Sequence, residues 1–264
     1  MRQYLWLLLA AILMIPLLLP GCGCIGYIGH IVHGSGILKT ETYDLSDFEE
    51  VQIGGAFGYQ ISYSDSHSVS ITVDDNLFEY VDIYRKQKKL IIKLKPVSIQ
   101  GNITLEASIQ LPQLARLNVS GATGGTISGF SSDEIIVLEV SGASEVILDE
   151  IVTHSCQFTV SGASRVTGSL TAEDADFDVS GVSRIELEGE CSDLDAQVSD
   201  ASTLDAATFL TGDTTIIIDG ASNAIINSNG ILDATLSGAS RLEYMGEPSL
   251  RNINVSGAST LKKR

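Results

Sequence analysis

From residue 117 onward the chain alternates apolar and polar positions with a period of two, and the alternation restarts at nearly constant intervals. Val119-Ser-Gly-Ala-Thr123 recurs as Val140-Ser-Gly-Ala-Ser144, Val160-Ser-Gly-Ala-Ser164, Val179-Ser-Gly-Val-Ser183 and Val198-Ser-Asp-Ala-Ser202. It then returns as Ile218-Asp-Gly-Ala-Ser222, Leu236-Ser-Gly-Ala-Ser240 and Val255-Ser-Gly-Ala-Ser259. The spacings of the glycine column, counted through Asp200, are 21, 20, 19, 19, 20, 18 and 19 residues. A helix pair needs more residues than this, whereas one coil of a β-helix needs about 20.

Aligned on the glycine, the copies give a cross-section. Two residues before it stand Val119, Val140, Val160, Val179, Val198, Ile218, Leu236 and Val255, and two further back stand Leu117, Leu138, Phe158, Phe177, Ala196, Ile216, Ala234 and Ile253. All are apolar, and their neighbours are mostly polar, which is the pattern of a strand with one face buried. Four residues after the glycine the interior resumes at Val146, Val166, Ile185, Leu204, Ala224, Leu242 and Leu261. A corner between strands needs positive φ, which glycine adopts freely and aspartate more readily than most residues.

The pattern therefore predicts an all-β fold: a β-solenoid with about 19–20 residues per coil, expected to wind right-handed, with eight regular C-terminal coils over 119–264. Residues 38–118 alternate in the same way without the clean repeat, as in Val69-Ser-Ile-Thr-Val73 and Leu90-Ile-Ile-Lys-Leu94, and are expected to form a less regular β half. The alanine after each glycine is expected to stack inside the corner. The hydroxyl column after that is read as a ladder serving the turn, with Ser144, Ser164, Ser183, Ser202, Ser222 and Ser240 as candidate surface contacts for a ligand.

The N-terminus changes the picture. Arg2 followed by the apolar run Tyr4–Leu19 reads as an export signal or membrane anchor over residues 1–21. Leu19-Pro-Gly-Cys22 resembles a lipobox, so Cys22 is the candidate lipid acceptor; a retained anchor helix is the alternative. Residues 22–37 form a Gly-rich tether. Either route places the body outside the cytoplasm, fixed to the cell envelope.

Composition narrows the function. A net charge of −17 excludes a nucleic-acid partner, because phosphate backbones are bound by clustered cations. The basic residues are unevenly placed, Arg85-Lys-Gln-Lys-Lys89 being the one basic cluster. No G-x-S-x-G elbow accompanies the four histidines, and His30-x-x-His33 lies in the tether. Cys156 and Cys191 fall two coils apart, beyond disulfide reach, and are expected to be packed thiols. Arg165 and Arg184 near Glu145 and Glu186 make the best enzyme-like cluster, and Asp174, Asp176, Asp178, Asp193 and Asp195 the best place for calcium. Neither pattern matches a known catalytic or calcium motif, so no catalytic, metal or cofactor residue is assigned.

Phe48-Glu-Glu-Val51, Gly55-Ala-Phe-Gly-Tyr-Gln-Ile61, Val69-Ser-Ile-Thr-Val73 with Asp74-Asp-Asn-Leu77, and Leu111-Pro-Gln-Leu114 leading into Val119-Ser-Gly-Ala resemble the head GIN domain family of auto-transporter adhesins, over roughly residues 47–260. The resemblance implies a β-helical surface domain with an adhesive role, and carries no catalytic or ligand residues. The expected function is a non-catalytic, cell-surface-anchored binding or adhesion module whose partner is a glycan or protein. The alternatives are an envelope structural or signalling protein without a ligand, or a polysaccharide-active β-helix enzyme.

Overall fold

The computed structural model describes residues 31–264, so Cys22, His30 and the export segment lie outside the described residues. The strands are β1 (Ile31–His33), β2 (Leu38–Tyr43), β3 (Glu50–Gly54), β4 (Gly58–Tyr63), β5 (Ser68–Asp74), β6 (Val81–Lys86) and β7 (Lys89–Leu94). They continue with β8 (Ser98–Gln100), β9 (Leu105–Leu111), β10 (Arg116–Ser120), β11 (Gly124–Ser128), β12 (Ser131–Val140), β13 (Glu145–Val160) and β14 (Arg165–Val179). The last are β15 (Arg184–Val198), β16 (Thr203–Ile218), β17 (Asn223–Ser228), β18 (Ile231–Leu236), β19 (Arg241–Met245), β20 (Ser249–Val255) and β21 (Thr260–Lys263). One 3-10 turn, Asp75–Tyr80, joins β5 to β6.

The strands stack in parallel as a β-solenoid of about seven turns. Register follows the repeat: Leu117, Leu138, Phe158, Phe177, Ala196, Ile216, Ala234 and Ile253 form one continuous column. The apolar columns are buried until the last described coil, where Val255 is 46% exposed. Phe158 and Phe177 lie ring on ring at 5.1 Å. Where that column narrows to Ala196, Phe209 crosses over it to reach Phe177 at 6.4 Å, so volume lost in one coil is restored from the next.

The irregular half contains one more coil than the repeat reveals. β3 pairs with β10 so that Ile53 faces Val119 and Gly54 faces Ser120, and β4 pairs with β11 so that Ile61 faces Ile127. Ile53-Gly-Gly-Ala-Phe57 is thus a degenerate copy of the corner. On its other side lie β7 and β9, both parallel to it. Order along the axis therefore differs from order along the chain: the coil built first, β3–β4, sits between the β7–β9 coil and the β10–β11 coil. Antiparallel strands close this end, β6 against β7 and β2 against β5, which in turn pairs with β9. β6 and β2 are its two edges.

Candidate binding surface

The corner decides which side chains reach solvent. Gly142 has φ +80°, and a Cβ there would stand 2.5 Å from the carbonyl oxygen of Gly121. The same collision recurs at Gly162, Gly181, Gly220 and Gly238, so the glycine permits coils to approach as well as turn. The following amide closes the contact: Ala143 N–H donates to Gly121 O at 2.7 Å. Asp200 adopts φ +64° with a side chain present, and there the corresponding bond, Ala201 N–H to Gly181 O, lengthens to 3.0 Å. Its carboxylate accepts from Gly181 N–H at 2.9 Å, offsetting part of the loss.

Past the glycine the chain turns the alanine outward, against the expectation that it stacks inside the corner, and the hydroxyl inward, where it serves the turn as the ladder reading has it. Val182, in the alanine column, is 70% exposed, whereas Ser144, Ser164, Ser183, Ser202, Ser222 and Ser240 are at most 2% exposed. A surface contact through these six serines does not survive this geometry. The hydroxyl is needed inside: Ser144 Oγ donates to Ser141 O at 2.8 Å, and Thr123 does the same to Ser120 O, satisfying the corner carbonyl. Along the axis Ser144 N–H reaches Ser164 Oγ and Ser164 N–H reaches Ser183 Oγ, both at 3.4 Å. Ser202 Oγ and Ser222 Oγ are buried without a partner.

Other side chains form the outer surface. On one face the register aligns Asp174, Asp193 and Asp213, with Asp176 beside Asp195 two residues along. They rim a shallow trough of about 460 Å³ that Ile135, Ala175 and Leu194 also line. Among the described residues no group of three His, Cys, Asp or Glu side chains could hold a metal ion. Near the capped end a second trough of about 410 Å³ is lined by Gln60, Ser70, Thr72, Glu106 and Ser108, polar groups without a strong charge balance.

The remaining candidates are occupied by structure. Arg165 pairs with Glu186 at 2.8 Å, and Arg184 with Glu186 at 3.2 Å and Asp205 at 3.1 Å, a self-neutralising diagonal across three coils. His67 is bonded to Phe48 O at 2.9 Å and His154 to Glu173 at 2.8 Å. Cys156 and Cys191 are free and buried. Burial pushes both thiols up, that of Cys191 to about 12, with Asp193 and Asp174 adding to it, so neither is a thiolate nucleophile at neutral pH. Among the described residues no helix is long and apolar enough to cross a membrane.

Three solved structures share this architecture. A "putative adhesin" from Parabacteroides distasonis ATCC 8503 has a TM-score of 0.81 at 22% identity, over 89% of this chain and 100% of its own. A "putative adhesin" from Parabacteroides merdae ATCC 43184 gives 0.81 at 22%, over 89% and 99%. A "putative lipid binding protein" from Parabacteroides distasonis ATCC 8503 gives 0.73 at 19%, over 89% and 99%. At these identities the likeness is one of fold. No curated protein matches the sequence. Residues 47–248 match the family described as "Putative auto-transporter adhesin, head GIN domain", and the chain belongs to that family.

Proposed function

We propose that this protein is a non-catalytic binding module of the cell surface, fixed to the envelope by its N-terminal segment through a lipid on Cys22 or a retained anchor helix. Its partner in this reading is an extended glycan or a protein. One observation carries the proposal: coils of 18–21 residues leave no loop long enough to wall a catalytic cleft, so the solenoid offers flat, in-register rows of polar side chains. Rows repeating at about 4.8 Å suit a polymer or another rigid surface more than a small substrate. Family membership and the adhesin description of the structural relatives agree with this.

The test is binding of residues 31–264 to an array of glycans and envelope polymers, with and without calcium. The expected result is a reproducible set of hits weakened by changes at outward positions, Asp176 with Asp195 or Gln60 with Ser108, while Ser164→Ala leaves them intact. A blank array under both conditions would shift the reading to a structural role or a protein partner.

A further inference from the structure

The two ends of the solenoid differ in what they expose. Between Asp82 and Glu106 the sequence carries six cations and no acid, in a chain of net charge −17. All six lie on or beside the β6–β7 hairpin at the capped end. Three are neutralised locally: Lys88 by Glu49 at 2.8 Å, Lys89 by Glu50 at 3.3 Å and Lys95 by Asp82 at 3.7 Å. Arg85, Lys86 and Lys93 have no carboxylate partner among the described residues. Arg85 donates only to the Gln87 carbonyl, and Lys93 lies 5.8 Å above the ring of Tyr84, which is 40% exposed.

The chain enters the body at this same end. β1 pairs with β8, between β7 and β9 in the chain, and the segment after β1 is strapped to the cap. Asp74 accepts from Gly36 N–H at 2.7 Å and Thr104 N–H at 3.0 Å, and Asn76 donates to His33 O at 2.8 Å. The strap continues into Ile37 and, at the start of the edge strand β2, Leu38, which are 64% and 56% exposed. The thirty residues before Ile31 contain the apolar run Tyr4–Leu19, so a bilayer holding that run lies within reach of the cap. At the opposite end, roughly 40 Å away by coil spacing, Lys263 and Arg264 are turned back onto Glu247 and Glu243.

We infer that the capped end is a membrane-docking face: Arg85, Lys86 and Lys93 meet the anionic headgroups of the bilayer that holds the N-terminal segment. Tyr84, Ile37 and Leu38 sit at the polar–apolar boundary, where such side chains are favoured. The inference rests on the anchored reading above. Charge complementarity selects an anionic lipid surface: a second copy docked cap to cap would set Arg85, Lys86 and Lys93 against the same three cations, and the far end has its terminal Lys263 and Arg264 already paired. Each basic residue at an anionic surface strengthens attachment about fivefold, so three supply on the order of 100-fold, lost when salt shortens the screening length. The docked body would stand with its coils stacked away from the membrane.

The full chain, in vesicles of neutral phosphatidylcholine or of the same lipid with phosphatidylglycerol, distinguishes the possibilities by flotation and amide hydrogen exchange. The expected result is flotation with both vesicles, and exchange in residues 81–89 slowed several-fold only in the anionic one. Residues 249–264 should be unchanged, and 0.5 M salt or the triple change Arg85→Glu, Lys86→Glu, Lys93→Glu should remove the protection. Flotation with both vesicles but identical exchange overturns the docking face and leaves the cations as guards of an edge strand. Flotation with neither overturns the anchor and the docking together. Flotation with anionic vesicles alone overturns the anchor and upholds the cationic contact.

Discussion

The ring of Tyr59 lies over Gly125, in the interior position that Val146, Val166, Ile185 and Leu204 fill in later coils. A Cβ on Gly125 would fall against the Tyr59 ring and carbonyl, and Tyr59 itself is 6% exposed. Its hydroxyl reaches Glu145 O only at 3.4 Å, so the ring, not the hydroxyl, holds the site. Tyr59→Ala should cost about 3–5 kcal/mol, as loss of a buried aromatic does, and Tyr59→Phe about 1 kcal/mol or less. Gly125→Ala should cost more than about 2 kcal/mol, with partial recovery in the Tyr59→Ala background because the carbonyl stays. Urea unfolding of the four variants checks this.

Burial also holds the Tyr59 hydroxyl protonated well above its ordinary range. The neutral form is the one the fold favours, so its contribution is complete below the unfolded value near 10 and falls as pH rises past it. Stability measured from pH 9 to 11.5 should therefore decline more steeply in the wild type than in Tyr59→Phe.

At the corner, Gly142→Ala combines positive φ with contact against Gly121 O and should lose about 2–4 kcal/mol. Asp200 has already absorbed that strain. Asp200→Gly should be close to neutral, about ±0.5 kcal/mol, trading the Gly181 bond for a relaxed backbone, while Asp200→Ala loses about 1 kcal/mol. Ala below both Gly and Asp in thermal midpoint is the readout; Ala at or above Gly would refute the corner geometry.

The buried serines separate by partner. Ser144→Ala removes a bonded hydroxyl and leaves Ser141 O unsatisfied, for a loss of about 1 kcal/mol. Ser202→Ala and Ser222→Ala remove unpaired buried hydroxyls and should be neutral or stabilising by about 1 kcal/mol. Paired chemical denaturation of the three variants decides it.

The strap at the capped end should respond to acid. Backbone N–H groups of Thr104 and Gly36 hold the Asp74 carboxyl below the usual carboxylate range. Its contribution is present above the unfolded value near 3.9 and lost as pH falls through the lower folded value. Amides of residues 33–37 should exchange faster below pH 4 before the coils do, and Asp74→Asn should produce the same loosening at pH 7.

The final coil is tied to its predecessor by Arg251–Asp233, Lys263–Glu247 and Arg264–Glu243. Removing residues 262–264 should loosen β21, expose the strand edge beneath it and raise self-association. An unchanged sedimentation profile would count against this.

Much of the architecture could be read directly from residue spacing, because each coil repeats the same inward pair before its corner and resumes four residues later. The first coil escaped that reading: Gly54 replaces the serine and Phe57 the hydroxyl, and residues 64–115 intervene before the next corner. The side on which the alanine lies escaped the reading for a different reason. Small apolar residues usually mark the interior, but here the αL glycine turns the alanine out and the carbonyl three residues back draws the hydroxyl in. The acidic rim of the first trough was legible, since Asp174 and Asp193, like Asp176 and Asp195, lie one period apart, whereas the second trough was not, because its rim comes from the register of β4, β5 and β9, which the repeat does not convey.

The intercalated β3–β4 coil has a consequence for how the protein is made. A simple solenoid can be laid down in the order of synthesis, each coil templating the next. Here the earliest coil has no stacked neighbour until residues 89–111 have emerged and only one until Ser128, so it must first wait as an unpaired ribbon. The nascent chain thus has a lag followed by a growth phase: no coil stacks on another before Leu111 has emerged, the β3–β4 coil is covered on both sides only at Ser128, and the later coils then add one by one. Synthesis arrested before Leu111 should leave a protease-sensitive chain, whereas an arrest after Val160 has emerged should already carry a resistant core.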